Sequence, residues 1–102
     1  MPNDKIVGAH AMQPLTQFVP RALADLLRPA PLSAGKVDFA WRTSVGPNMA
    51  RVSHVRLEGG VLLVEAQTPH WASAVMRATP LILPRMQALL GAEQIREIRL
   101  RG

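Results

Sequence analysis

The chain has 102 residues, 48% of them hydrophobic, no cysteine, and a formal net charge of +5 at pH 7. This length fits one domain with its own core, and the apolar content excludes a chain that is disordered throughout. The lack of cysteine excludes disulfides, a thiol nucleophile and a cysteine-ligated metal, and no apolar run approaches the roughly 20 residues that span a bilayer.

The N-terminal residues show no periodic pattern of apolar side chains. We expect residues 1–13 to form a flexible tail and residues 14–102 to form a single domain. The tail lacks the charged and apolar regions of a secretory signal, which favours a cytoplasmic location. From Leu15 to Leu27 apolar residues recur at helical spacing, and Pro20 either kinks this first helix or lies in its first turn.

A second helix and a β-hairpin follow. Ser33 is a typical N-cap residue, Trp41 lies on the apolar stripe that follows it, and Gly46 and Pro47 end the helix. A short turn then leads into two runs in which apolar and polar residues alternate. The glycine pair at 59–60 joins these runs and supplies the positive φ angles of a two-residue hairpin turn, so we predict two antiparallel strands.

The C-terminal third predicts two more helices and a third strand. Thr68 and Pro69 are typical of a helix start, and Thr79 with Pro80 repeats that signal for a fourth helix, which Gly91 ends. The sequence leaves open whether Pro80 and Pro84 divide this helical segment or only bend it. Alternation from residue 95 to residue 101 predicts a strand. The order α-α-β-β-α-α-β indicates an α+β fold: a two-layer sandwich with a three-stranded mixed sheet and helices on one face.

Nothing in the sequence favours an enzyme. The histidines His10, His54 and His70 lack the spacing of metal ligands, and the seven carboxylates are scattered. No serine lies in a nucleophile elbow, and Gly35 and Lys36 lack the upstream glycine of a phosphate-binding P-loop. We therefore expect no catalytic residues, no cofactor and no metal site.

Basic residues are unevenly distributed. Residues 1–40 carry a net charge of +1, whereas residues 41–102 carry +4, and all their basic residues are arginines. Strand alternation predicts that several basic side chains share the open face of the sheet, and residues beside the 45–46 helix end extend the patch. The candidate nucleic-acid-binding residues are Arg42, Arg51, His54, Arg56, Arg99 and Arg101.

This basic patch predicts salt-sensitive contact with DNA phosphates without sequence preference, since no aromatic residue interleaves the arginines to stack on bases. Two plainer interpretations stay open. A sheet must expose some polar face, and an arginine-rich composition also arises from genome composition.

The two tryptophans differ in setting. Trp41 shares its helical face with apolar neighbours, which is typical of a core residue. Trp71 lies at a helix start near the end of the hairpin, where a partly exposed indole can stack on a base or on a partner's side chain. We take Trp71 and Arg77 as candidate partner-binding residues.

Short segments at these positions resemble the DciA-type family of bacterial replicative-helicase operators and loaders, once known only as a domain of unknown function. The resemblance covers about residues 14–101 and is carried by Ala40-Trp41, Val45-Gly46, Gly60-Val61-Leu62, His70-Trp71-Ala72 and Leu89-Leu90-Gly91. It implies a K-homology-like fold, DNA binding, contact with a DnaB-type replicative helicase, and helicase loading without ATP hydrolysis. Separately, the lack of a long apolar run predicts no membrane partner.

Two alternatives to a DNA-binding adaptor remain. One is a pure protein-interaction module in which the charge is incidental. The other is a K-homology-like RNA-binding module, which has only fold analogy behind it. The Gly-x-x-Gly clamp of K-homology domains is missing from these 102 residues, so RNA binding by that route is not supported.

Overall fold

A computed structural model of the chain describes residues 20–101. Both the tail predicted at residues 1–13 and the part of the first predicted helix before Pro20 lie outside these residues. In chain order the elements are α1 (Arg21–Leu27), α2 (Ala34–Val45), α3 (Pro47–Arg51), β1 (Ser53–Glu58), β2 (Val61–Ala66), α4 (Pro69–Leu90) and β3 (Glu97–Leu100).

The three strands form one mixed sheet in the order β1-β2-β3. β1 and β2 are antiparallel and joined by Gly59 and Gly60, whose φ angles of 56° and 82° give the predicted two-residue turn. β2 and β3 are parallel, and α4 provides the crossover between them. The predicted hairpin and mixed sheet are confirmed.

The hydrophobic core lies between one face of this sheet and the helices. Leu62 and Val64 of the central strand are fully buried, as are Val75, Ile82 and Met86 of α4. This arrangement confirms the α+β class with two layers. The order of elements agrees with the predicted order except that the short helix α3 precedes the hairpin and one helix, not two, follows it. The likeness to a K-homology domain stays a prediction.

Trp41 connects the helical layer to the start of the sheet. Its side chain is 1% exposed, and its Nε1 donates a hydrogen bond of 2.9 Å to Ser53 Oγ. Ser53 Oγ in turn donates to the Met49 carbonyl at 2.7 Å. Trp41 is therefore a core residue whose one polar atom is satisfied.

The two helices predicted after the hairpin are one continuous helix, α4, so that division was wrong. Pro80 and Pro84 lie inside it, and both are exposed. Thr79 does not cap a new helix, because its Oγ1 donates back to the Val75 carbonyl at 3.0 Å. The helix continues because its buried stripe keeps helical spacing past both prolines, through Val75, Ala78, Ile82, Met86 and Leu89.

Two boundaries also differ from the predictions. The segment after Gly46, expected to be a turn, is the short helix α3, which begins with a proline at its first position. β3 begins at Glu97, two residues later than predicted. Ile95 precedes the strand and is fully buried. Its apolar character comes from packing in the core, and not from a position in the strand.

Candidate nucleic-acid and partner interface

The strand register places the predicted basic residues of the sheet on its open face. Arg56 of β1 lies opposite Leu63 of β2, which lies opposite Arg99 of β3. His54 lies opposite Glu65, and Arg101, just beyond β3, lines a shallow depression with both of them. These four basic side chains therefore share one face, away from the helices.

The same face carries as many carboxylates as arginines. Glu58, Glu65 and Glu97 share it with the three arginines, and two of these arginines form ion pairs with a carboxylate. Arg56 Nε lies 2.7 Å from Glu58 Oε2, and Arg99 Nη2 lies 2.9 Å from Glu97 Oε2. With histidine neutral, the open face has a formal charge of zero, which weakens long-range attraction of a polyanion.

These two ion pairs do not bury the guanidinium groups. The side chains of Arg56 and Arg99 remain 62% and 60% exposed. Exposed pairs of this kind contribute at most about 1 kcal/mol, so a phosphate group can exchange for the carboxylate at small cost. The sheet face is thus accessible to an anion but does not concentrate positive charge.

A cleft of about 340 Å³ lies at the end of the sheet where β2 finishes. Arg51 of α3, His54 of β1 and Arg101 line it together with Glu65 and Gln67. Two arginines here meet one carboxylate, so this end of the sheet carries the positive charge that the centre lacks. Sequence reasoning missed Gln67, although its position directly after an alternating strand marks a strand end.

The start of α4 adjoins the same end of the sheet. Thr68, directly after Gln67, accepts a hydrogen bond of 3.2 Å from the Trp71 backbone N–H. The start of a long helix carries partial positive charge, which adds to the field of the two arginines in the cleft.

Arg42 does not join this group. It lies on α2, where its Nε donates to Asp38 Oδ2 at 3.0 Å and its guanidinium lies 6.0 Å from the centre of the Phe39 ring. The cleft lining does not include it. The sequence pattern placed Arg42 next to Arg51 because both flank the end of α2. In the structure α3 lies between that helix end and Arg51, and Arg51 lines the cleft beside the sheet.

Four other basic side chains are engaged by backbone carbonyls, and their role is structural. Arg28 donates to Ala88, Lys36 to Arg28 and Ala30, Arg85 to Ser44, and Arg96 to Gly59. Burial lowers the pKa of the Arg85 guanidinium from its ordinary value. These four cationic side chains therefore contribute hydrogen bonds to the fold.

The two candidate partner residues lie on different faces of α4. Trp71 is partly buried against the core and meets the His70 ring edge-on, with the ring centres 6.0 Å apart. Arg77 is exposed, six residues further along and roughly 120° around the helix. Its exposed apolar neighbours, Met76 (62%) and Leu81 (49%), were missed because the apolar stripe of α4 was assigned wholly to the core.

The described residues show no arrangement typical of a metal site or a membrane span. Among residues 20–101, no three histidine or acidic side chains lie close enough to bind one ion. No helix in that range has both the length and the apolar character needed to cross a bilayer.

Comparison with known protein families identifies the chain. The family model described as "Dna[CI] antecedent, DciA" matches residues 14–100. The chain belongs to the DciA family. This match confirms the resemblance seen in the tryptophan and glycine segments, and no curated protein matches the chain. Membership in the DciA family is consistent with a helicase-loading role in DNA replication, and the family is one of loaders and adaptors, not of known enzymes.

Proposed function

We propose that this DciA-family protein is a non-enzymatic adaptor in the bacterial cytoplasm that binds DNA, contacts a DnaB-type replicative helicase and assists its loading. The family match over residues 14–100 is the observation that carries this proposal. The sequence offers no nucleotide-binding loop, which fits an adaptor that works without hydrolysing ATP.

DNA contact is assigned first to the cleft at the end of the sheet. Arg51 and Arg101 line it with His54, and only Glu65 opposes them. Arg56 and Arg99 contribute less because each already meets a carboxylate. A guanidinium group can form two hydrogen bonds to phosphate oxygens, and contacts to phosphate carry no information on base sequence, so we expect non-specific, salt-sensitive binding.

Two double variants test this assignment because they remove the same charge from different places. We expect Arg51→Ala with Arg101→Ala to weaken DNA binding strongly. The slope of log affinity against log salt should flatten by nearly two units, since each phosphate contact contributes about 0.9 on duplex DNA. Arg56→Ala with Arg99→Ala should change the slope by less than about one unit. Fluorescence anisotropy with a labelled duplex over a salt series measures both.

If the two double variants lose DNA affinity equally, only the overall charge matters. A larger loss of affinity in the Arg56 and Arg99 variant would place the DNA contact at the centre of the sheet instead of the cleft. A matching series with single-stranded DNA, where each contact contributes about 0.7, then shows which form is preferred.

Helicase contact is assigned to the exposed face of α4 around Arg77, flanked by Met76 and Leu81. An exposed arginine beside apolar side chains is typical of protein interfaces. Arg77→Glu should abolish capture of a DnaB-type hexamer in a pull-down. Arg21→Glu, an equal charge reversal at the start of α1, should leave capture intact. Loss in both variants, or in neither, would exclude this face.

A second candidate function is a protein-interaction module that does not bind DNA. The equal numbers of arginines and glutamates on the open sheet face favour it. Under this alternative the protein captures the helicase yet produces no DNA shift even at low salt. The anisotropy series therefore separates the two functions.

A further inference from the structure

The exposed side of α4 carries a second stripe of residues at helical spacing, opposite the stripe that packs in the core. Its members recur three or four positions apart over about three turns, and each of them is exposed in the domain formed by residues 20–101. They are Ser73, Met76, Arg77, Pro80, Leu81 and Pro84. Most of these side chains are apolar, so the stripe resembles one half of a contact between two helices.

Two prolines on this stripe leave backbone carbonyls without their usual helical donors. In an α-helix each carbonyl accepts a hydrogen bond from the N–H four residues later, and proline has no N–H. The carbonyl of Met76 therefore receives no such bond from Pro80, and the carbonyl of Pro80 receives none from Pro84. Both carbonyls lie on the exposed side, where they can accept a hydrogen bond from another molecule.

Arg77 is a cationic donor on the same stripe, and it lacks an acceptor of its own. Its side chain takes part in no hydrogen bond or ion pair among residues 20–101. No aspartate or glutamate occurs in α4, so the helix offers it no carboxylate three or four residues away. Helical side chains lean toward the N-terminus and carbonyls point toward the C-terminus, so Arg77 leans away from the Pro80 carbonyl of its own helix.

The stripe is complementary to itself when a second copy of the chain lies antiparallel to it. Antiparallel helices related by a two-fold axis present the same stripe to each other, so each contact occurs twice. With that axis midway between positions 78 and 79, Met76 of one copy faces Leu81 of the other. The two pairs cover the large apolar side chains that α4 leaves exposed.

The same axis sets Arg77 of one copy opposite Pro80 of the other. Arg77 leans toward the N-terminus of its own helix, which in an antiparallel pair is the direction of the second helix's C-terminus. The Pro80 carbonyl of the second helix points the same way. Each guanidinium group therefore reaches the carbonyl that lacks its helical donor, and the two guanidinium groups lean away from each other.

We propose that two copies of this chain pair through the exposed stripes of antiparallel α4 helices, and that this pairing covers the helicase-binding face until the helicase displaces the second copy. The pairing follows from the stripe alone, whereas its effect on the helicase rests on the proposed function. A stripe of about three turns buries less than the roughly 800 Å² per partner of a standard interface, so the dimer is weak and forms at micromolar concentrations or above.

Single cysteines test the register, because the chain contains none of its own. Helix axes about 8–10 Å apart bring facing Cα atoms within disulfide range, so a mixture of Met76→Cys and Leu81→Cys should cross-link under mild oxidation. Met76→Cys alone should cross-link about tenfold more slowly or less, since its two copies are displaced by about 7.5 Å along the axes. Leu26→Cys, at an exposed site on α1, should not speed the cross-linking of Met76→Cys.

Two substitutions test the bond between Arg77 and the Pro80 carbonyl in sedimentation equilibrium over a concentration series. Arg77→Ala removes the donor and should weaken dimerisation about tenfold or more, whereas Arg21→Ala removes the same charge from α1 and should leave it unchanged. Pro84→Ala restores an N–H to the Pro80 carbonyl. It should stabilise the monomer and still weaken the dimer, which separates loss of the contact from loss of the fold.

Covering of the helicase-binding face is tested separately. The disulfide-linked dimer of Met76→Cys and Leu81→Cys should fail to capture the DnaB-type hexamer and should regain capture on reduction. It should bind DNA in both states, because no residue of the stripe lines the cleft.

The pairing would be overturned by a monomer at every concentration, or by Met76→Cys alone cross-linking as fast as the mixture. In either case the Arg77→Glu pull-down still decides the helicase contact. Equal capture by the linked and reduced dimers would remove the covering of the helicase-binding face. A dimer of the unaltered protein that captures no helicase at any concentration would overturn the helicase contact and leave the pairing in place.

Discussion

The Ser53 hydroxyl takes part in two buried hydrogen bonds that join a helix to the start of the sheet. It accepts the Trp41 Nε1 hydrogen bond and donates to the Met49 carbonyl. Ser53→Ala leaves a buried indole N–H without its acceptor, whereas the Met49 carbonyl keeps the hydrogen bond of 3.2 Å that it accepts from the Val52 N–H. We expect a loss of about 1–3 kcal/mol in the free energy of unfolding, which is the cost of one orphaned buried group. Urea denaturation followed by tryptophan fluorescence measures it.

Ser44 provides the matched case on the buried face of α2, which also carries Trp41. It is 1% exposed, and its Oγ has no hydrogen-bond partner among residues 20–101. Ser44→Ala removes a desolvated hydroxyl without breaking a bond, so unfolding should become slightly harder, by up to about 1 kcal/mol. A destabilisation as large as that of Ser53→Ala would mean that the Ser44 hydroxyl has a partner after all.

At the scale of elements, α1 depends on cations from other parts of the chain. It has seven residues, no side-chain cap and one buried residue, Ala24, so it would not be stable as an isolated helix. Lys36 Nζ donates to the Arg28 carbonyl at 3.0 Å and to the Ala30 carbonyl at 2.6 Å. Arg28 also donates to the Ala88 carbonyl, which ties the end of α1 to α4.

Removal of the Lys36 ammonium should therefore release α1 before the rest of the domain unfolds. We expect Lys36→Met to keep the sheet protected from hydrogen exchange while amide protection in α1 falls by about tenfold or more, since charge-assisted hydrogen bonds contribute about 1.5–3 kcal/mol. Arg21→Met removes the same charge from the exposed start of α1 and should leave protection unchanged. Uniform loss across all elements would show that α1 unfolds only with the core.

The path of α4 shows where local sequence signals stop being sufficient. Thr79 followed by Pro80 has the same local chemistry as Thr68 followed by Pro69, and only the second pair begins a helix. The difference is tertiary: Pro80 and Pro84 face solvent, while Ala78 and Ile82 keep the buried stripe in phase. Packing of that stripe against the sheet outweighs the backbone hydrogen bonds that the two prolines cannot donate. A local sequence pattern does not show which of these two effects is larger.

At the scale of the molecule, the hairpin and the two faces of the sheet were predictable from the sequence. The predicted basic patch, however, left out the carboxylates of the same face. The alternation that placed Arg56 and Arg99 on the open face also places Glu58, Glu65 and Glu97 there. The glycine turn fixes the register of β1 on β2, so two of these carboxylates were within reach of sequence reasoning. The cleft was not, because Arg51 and Arg101 are 50 positions apart and meet only in the folded chain.

Separate surfaces for DNA and helicase lead to a reciprocal prediction. The cleft with Arg51 and Arg101 lies at the end of the sheet, whereas Arg77 projects from the middle of α4 and does not line the cleft. The variant with Arg51→Ala and Arg101→Ala should lose DNA binding and keep helicase capture. Arg77→Glu should do the reverse, with DNA affinity equal to that of Arg21→Glu, which carries the same change in net charge.

A three-component measurement makes this separation decisive for the adaptor function. On labelled DNA, the unaltered protein should recruit the helicase, and each variant alone should fail for a different reason. An equimolar mixture of the two variants should also fail, because a bridge requires both surfaces on one chain. If the mixture restores recruitment, one molecule binds the DNA while another binds the helicase, and the single-chain bridge is wrong. If each variant loses both activities, the cleft and the α4 face form one interface.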